Sequence, residues 1–130
     1  MKFARIVFAV AAAYGLLVLL PLYFLRNAIA ISAPPAITHP ELYYGFVGVT
    51  VLWQLVFVLI ATDPSRYRPL MLLAVLEKLA YTIPVVILYL QGEVSKTTAG
   101  QALVDPVLGI FFLAAYLNTR KRLRAPEHLE

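Results

Sequence analysis

Four apolar stretches leave this chain little choice of fold: Phe3 to Leu25, Tyr43 to Ala61, Leu70 to Leu90, and a last one ending near Asn118. A helix needs about 20 residues to cross ~30 Å of hydrocarbon. Four such segments take up nearly all of the 130 residues, and no soluble domain fits beside them. Composition agrees, with 62% hydrophobic and 14% charged residues, where a soluble domain carries about half and about a quarter. The expected fold is all-α: a single integral membrane bundle of four transmembrane helices, at about 3–26, 39–62, 65–90 and 97–119.

Charge sets the expected orientation. Lys2 and Arg5 precede the first segment, Arg66 and Arg68 separate the second from the third, and Arg120, Lys121, Arg122 and Arg124 follow the fourth. The opposite side holds only Arg26 and Lys96. The positive-inside rule then places both termini in the cytoplasm. RKRLR also has the composition of a nucleic-acid patch. At a membrane exit it reads instead as an anchor on anionic lipid, and no nucleic-acid partner is expected. The first segment begins like a signal peptide, with Ala28-Ile29-Ala30 as an A-x-A site, but its apolar run exceeds the 7–15 residues or so of a signal core. It is read as an uncleaved first helix.

The chain has no cysteine, which excludes iron–sulfur clusters and thiolate metal sites. His39 and His128 both fall outside the apolar stretches, which argues against a haem held between membrane histidines. No metal site is expected, and no cofactor is indicated.

Prolines punctuate the segments. Pro21 kinks or ends the regular part of the first helix, and Pro34-Pro35 breaks the loop that follows. Thr38 with Glu41 three residues on has the spacing of a capping box, and Asp63-Pro64 reads as an N-cap with proline at the first helical position. From Pro106 to Thr119 a helix would extend only ~21 Å at 1.5 Å per residue. The fourth helix is therefore expected to begin near Thr97 or Thr98, with Pro106 inside it and Asp105 below the surface.

The third segment poses the functional question, because Glu77 and Lys78 interrupt LMLLAVLEKLAYTIPVVILYL. At 100° per residue, Leu72, Leu76, Leu79, Ile83, Ile87 and Leu90 cover a lipid-facing side, while Glu77, Lys78, Tyr81 and Thr82 cover the other. Depth counting puts Gln54 level with Glu77, Tyr14 at that level on the first helix, and Asp105 somewhat higher, near Tyr81. The candidate polar face is thus Tyr14, Gln54, Glu77, Lys78, Tyr81 and Asp105. Glu77 and Lys78 diverge by about 100° and make a poor pair with each other, so each needs a partner elsewhere. Lys78 either leans back towards the cytoplasmic interface or bridges to Glu77 at an angle. A charge at the membrane centre costs about 2.5–3.5 kcal/mol on insertion scales. Two readings stand: a structural ion pair between helices, or a ligand or proton site.

The segment ATDPSRYRPLMLLAVLEKLAY, with D-P-x-R-Y-R-P-L and then a lysine near the middle of the next helix, resembles a pattern in small bacterial four-helix membrane proteins loosely grouped as DoxX-like. The likeness covers about a third of the chain and reaches Asp63, Arg66, Arg68 and Lys78; Glu77 has no counterpart in it. It implies a four-helix bundle in a bacterial inner membrane, in some members linked to quinone or redox partners.

Several functions compete. The first is a binding protein for a lipophilic, quinone-, isoprenoid- or lipid-like ligand, with Tyr14, Trp53, Tyr81 and Phe111 lining its pocket. The second is an accessory subunit of a larger membrane complex, or a homo-oligomer, packed through its Gly- and Ala-rich faces. The third is a membrane lipid-modifying enzyme in which Glu77 and Asp105 handle protons. The fourth is proton-coupled export by a dimer. Small multidrug exporters would carry the carboxylate in helix one, and here that helix has none.

Overall fold

The computed structural model describes residues 1–124, and His128 lies outside the described residues. Among the described residues the regular structure is all helical, and four helical segments are long and apolar enough to cross a membrane.

α1 (Lys2–Leu19) buries Ala4, Ala11, Ala12 and Gly15 along one side with Phe8. That small-residue stripe lets a neighbouring backbone come close, and α1 packs chiefly along α3 (Pro40–Thr62). Pro21 has no N–H to offer the Leu17 carbonyl, and the regular helix stops at Leu19. The chain resumes at once as α2 (Leu22–Ser32). The single helix expected at 3–26 is therefore two, and the stretch from Asn27 to Ser32, expected as loop, is helical.

α3 starts with Pro40 at its first position and His39 as N-cap, with no side-chain cap bond. The expected capping box from Thr38 is not formed. Glu41 reaches sideways to His39 Nδ1 at 3.1 Å instead, in the open. In the short connection that follows, Asp63 Oδ1 accepts from the Arg66 N–H at 3.2 Å, which caps a turn rather than α4 itself. α4 (Arg68–Leu90) begins three residues later than the expected 65 and runs through Pro84 without a break.

Ser95 caps α5 (Lys96–Ala102), its hydroxyl accepting from the Thr98 N–H at 3.2 Å. Pro106 cannot bond the Ala102 carbonyl, and α5 ends at Ala102. α6 (Val104–Arg124) then carries Asp105 and Pro106 in its first turn. The expected continuous helix at 97–119 is thus a short helix, a break at Leu103 and a long one. Asp105 sits in the first turn of that helix and is part-buried.

Three contacts fix the helix directions. Ser65 Oγ meets Met1 Sδ at 3.5 Å, which puts the chain start beside the α3–α4 connection. The Tyr43 hydroxyl donates to the Leu22 carbonyl at 2.6 Å, joining the start of α3 to the start of α2, just past the far end of α1. The Arg68 guanidinium stacks 3.8 Å from the centroid of the Tyr116 ring, so the start of α4 lies by the end of α6. Desolvation lowers the pKa of the Met1 amino group, and the charges of Arg122, Arg5 and Lys2 add to it, which puts Arg122 near the chain start as well. Lys2, Arg5, Arg66, Arg68 and the Arg120–Arg124 cluster therefore gather at one end of the bundle, with Arg26 and Lys96 at the other.

The two halves differ in packing. Towards the basic end, the rings of Phe8 and Phe112 stack with centroids 4.4 Å apart, and Phe57 meets Phe112 edge-on at 4.9 Å. Ala74, Ala115, Met71 and Ile60 close around them, all buried. Away from that end the helices separate, and a cavity takes the place of the core.

Candidate functional site

The cavity has a volume of about 640 Å³, within the usual range for small-molecule sites. α1 and α2 wall one side through Gly15, Leu19, Leu22, Leu25 and Ile29, while α3 contributes Phe46, Thr50 and Gln54. All six side chains expected at the polar face (Tyr14, Gln54, Glu77, Lys78, Tyr81 and Asp105) line this one space.

Lys78 is the centre of the polar wall. It lies ~15 Å along α4 from Arg68 at 1.5 Å per residue, about midway in a helix of 23 residues, and is only 6% exposed. Its ammonium donates to Asp105 Oδ1 at 3.1 Å and stands 3.2 Å from Glu77 Oε2. The second contact has ion-pair distance without hydrogen-bond alignment: Glu77 Oε2 is buried and has no hydrogen-bond partner among the described residues. The divergence of adjacent helical residues explains the difference, because Lys78 must fold back to reach Glu77 but meets Asp105 across the α4–α6 contact. Of the two routes open to Lys78, the bridge is taken and the lean to the interface is not. The Lys78 backbone lies against Gly109 of α6, so Asp105, a turn earlier in that helix, stands a step above it at the level of Tyr81 as expected, and the ammonium reaches up to Asp105. Its place in the first turn of α6 adds the favourable end of the helix dipole to the ammonium it accepts from.

Around this cluster the lining is polar but uncharged. Gln54 Nε2 donates to the Thr50 carbonyl at 3.0 Å, and the rest of its amide lies on the bare face of Gly15. The Tyr81 ring packs 5.8 Å from Phe46. The ammonium of Lys78 stands 5.3 Å over the Phe57 ring, which links the site to the packed half. The opposite side of α4 is open, with Leu76 58% exposed among the leucines and isoleucines expected to face lipid.

No family model, curated protein or solved structure matches this chain. The site must be read from its own chemistry.

Two residues expected in the lining are elsewhere. Trp53 packs on Phe57 at 6.3 Å as part of the core, and Phe111 faces outward. The neighbouring Phe112 takes the core seat, and 100° of helix rotation turns Phe111 away. The wall supplied by α2 is absent from the sequence reading, although Leu22, Leu25 and Ile29, at spacings of 3 and 4, carried the helical signal. The part of Gly15 as the seat of Gln54 is likewise absent from the sequence reading.

That seat gives a direct test. A methyl group at Gly15 would overlap the Gln54 amide, whereas nothing stands near the corresponding position at Gly45. Gly15→Ala is expected to cost about 1–3 kcal/mol by overpacking. Gly45→Ala is expected to be neutral or to gain up to ~1 kcal/mol of helix propensity. Denaturant midpoints of the two variants in the same micelles measure the contrast, and equal midpoints would show that Gln54 does not lie on Gly15.

Proposed function

We propose that this is a small integral membrane protein, multi-pass with both termini cytoplasmic, and that its cavity binds a lipophilic ligand (quinone-, isoprenoid- or lipid-like). The basic end, rich in arginine and lysine against Arg26 and Lys96 opposite, supports the orientation. The likeness of the α3–α4 hairpin to DoxX-like proteins, with their bacterial inner membrane, belongs to the same proposal. One observation carries the ligand reading: a single cavity presents Glu77, Lys78 and Asp105 at its deep wall and Leu19, Leu22, Leu25 and Ile29 along its flank. That is the shape of a site for a polar head and an apolar tail. A purely structural ion pair would serve as well in a closed core, and this one lines open space.

Native mass spectrometry of protein released from bilayer nanodiscs tests the reading. The wild type should carry a lipophilic adduct that survives removal of loosely held lipid, and Glu77→Gln should lose most of it. A wild type that arrives bare refutes the reading. A second reading, an accessory subunit of a larger complex, draws on α2, which buries none of its residues and leaves Phe24 89% exposed. A stoichiometric partner recovered from native membranes, lost when α2 is altered, would favour it.

A further inference from the structure

The charges lining the cavity do not cancel. The titratable side chains that face it are Glu77, Lys78 and Tyr81 from α4, Asp105 from α6 and Tyr14 from α1. α2, α3 and α5 contribute Leu, Ile, Ser, Ala, Phe, Thr and Gln, none of them ionisable in the physiological range. Two carboxylates therefore share one ammonium. That ammonium is already engaged, bonded to Asp105 and set against Glu77, and its side chain is 7% exposed. The carboxylates are less enclosed, with side-chain exposures of 13% for Glu77 and 23% for Asp105. An incoming head group would meet carboxylate oxygens before it met Lys78. Among them is Glu77, which accepts no aligned hydrogen bond among the described residues: its Oε2 is enclosed beside Lys78, and the rest of the carboxylate keeps some exposure to the cavity.

We infer that the cavity selects a positively charged, hydrogen-bond-donating head group: a primary-amine amphiphile or amino-lipid with a single apolar tail. This rests on the reading of the cavity as a ligand site and narrows it. A quinone offers only carbonyl acceptors and brings no charge to offset the extra carboxylate, and the one cationic donor, Lys78, is already engaged. An anionic head group would add to an unbalanced negative charge in a low-dielectric wall. A cationic head supplies the missing counter-charge and a donor for Glu77. Tyr14, Phe46 and Tyr81 offer aromatic faces beside it, to which cations are attracted and anions are not.

The test uses three probes with the same decyl chain and different heads, namely decylammonium, decanol and decyl sulfate. They are titrated calorimetrically into the full-length protein in uncharged phosphatidylcholine nanodiscs, with empty nanodiscs subtracted. Decylammonium should bind saturably and at least about tenfold tighter than decanol, and decyl sulfate should show no saturable binding. In Glu77→Gln, where one carboxylate now balances one ammonium, the preference for decylammonium over decanol should fall to within about threefold. The wild-type comparison stands even if that variant folds poorly. Equal binding of decylammonium and decanol, or tighter binding of decyl sulfate, overturns the inference and leaves the ligand site in place. Failure of all three to bind saturably removes the ligand site as well, and the inference with it.

Discussion

Lys78→Leu is expected to be the most destabilising single substitution in this protein. The ammonium stands between Asp105 Oδ1 at 3.1 Å and Glu77 Oε2 at 3.2 Å, and leucine in its place leaves two carboxylates facing each other with no counter-charge. Breaking a buried pair from one side costs about 3–5 kcal/mol, because the orphaned charge stays buried. Set against a total stability of about 5–15 kcal/mol, that is a large share. The companion experiment removes all three groups. Glu77→Leu, Lys78→Leu and Asp105→Leu together should recover most of the loss, since an apolar replacement of a whole buried cluster is often neutral or stabilising. Changing only Glu77 and Lys78 should not suffice, because Asp105 is the hydrogen-bonded partner and would be left alone. Unfolding in mixed micelles measures all of these. A Lys78→Leu variant as stable as the wild type would mean that the ammonium is not held between the carboxylates.

Phe57→Ala should have the next largest effect, about 3 kcal/mol. Its ring is fully buried, 4.9 Å from Phe112, 5.9 Å from Phe8 and 6.3 Å from Trp53. Lipid tails are as apolar as phenylalanine, so in a bilayer the loss comes from the void and its missing dispersion contacts rather than from transfer out of water. Phe57→Leu, which refills most of the volume, should cost clearly less. The ring also lies 5.3 Å beneath the Lys78 ammonium, a cation–π contact of about 0.5–2 kcal/mol. Lys78→Leu and Phe57→Ala should therefore be non-additive by about 0.5 kcal/mol or more in a double-mutant cycle. Strict additivity would place the ammonium away from the ring.

The helical architecture was legible because lipid demands length and apolarity, and both can be read off a one-dimensional sequence. The polar face was legible for the same reason. In four apolar segments the few polar side chains stand out, and helical phase with depth counting was enough to bring Tyr14, Gln54, Glu77, Lys78, Tyr81 and Asp105 to one cavity. What stayed hidden depends on where the backbone breaks. Proline marks a lost hydrogen bond, but sequence does not say whether the helix bends through it, as at Pro84, or stops, as before Pro21 and Pro106. Because α2 restarts after Pro21, a stretch that looked like a loop became a wall of the cavity. The bridge from Lys78 to Asp105 was equally inaccessible: α4 and α6 are far apart in sequence, and only their packing brings the two groups together. The phase of a single aromatic was also beyond reach, which is how Phe111 was read into a site that Phe112 turns it away from.

The most direct test of a bilayer-spanning bundle with its charges facing inward is a spin-label accessibility scan. The chain has no cysteine of its own, so single cysteines can be placed one at a time from Met71 to Val85 in bilayers and each label probed with oxygen and with a water-soluble nickel chelate. Oxygen contact should peak at Leu72, Leu76 and Leu79, fall to minima at Ala74, Lys78 and Val85, and nickel contact should stay low throughout. Oxygen maxima at Glu77 and Lys78 would put the charges against lipid, and strong nickel contact along the whole run would take the helix out of the bilayer; either result contradicts the proposed membrane bundle and the site built on it.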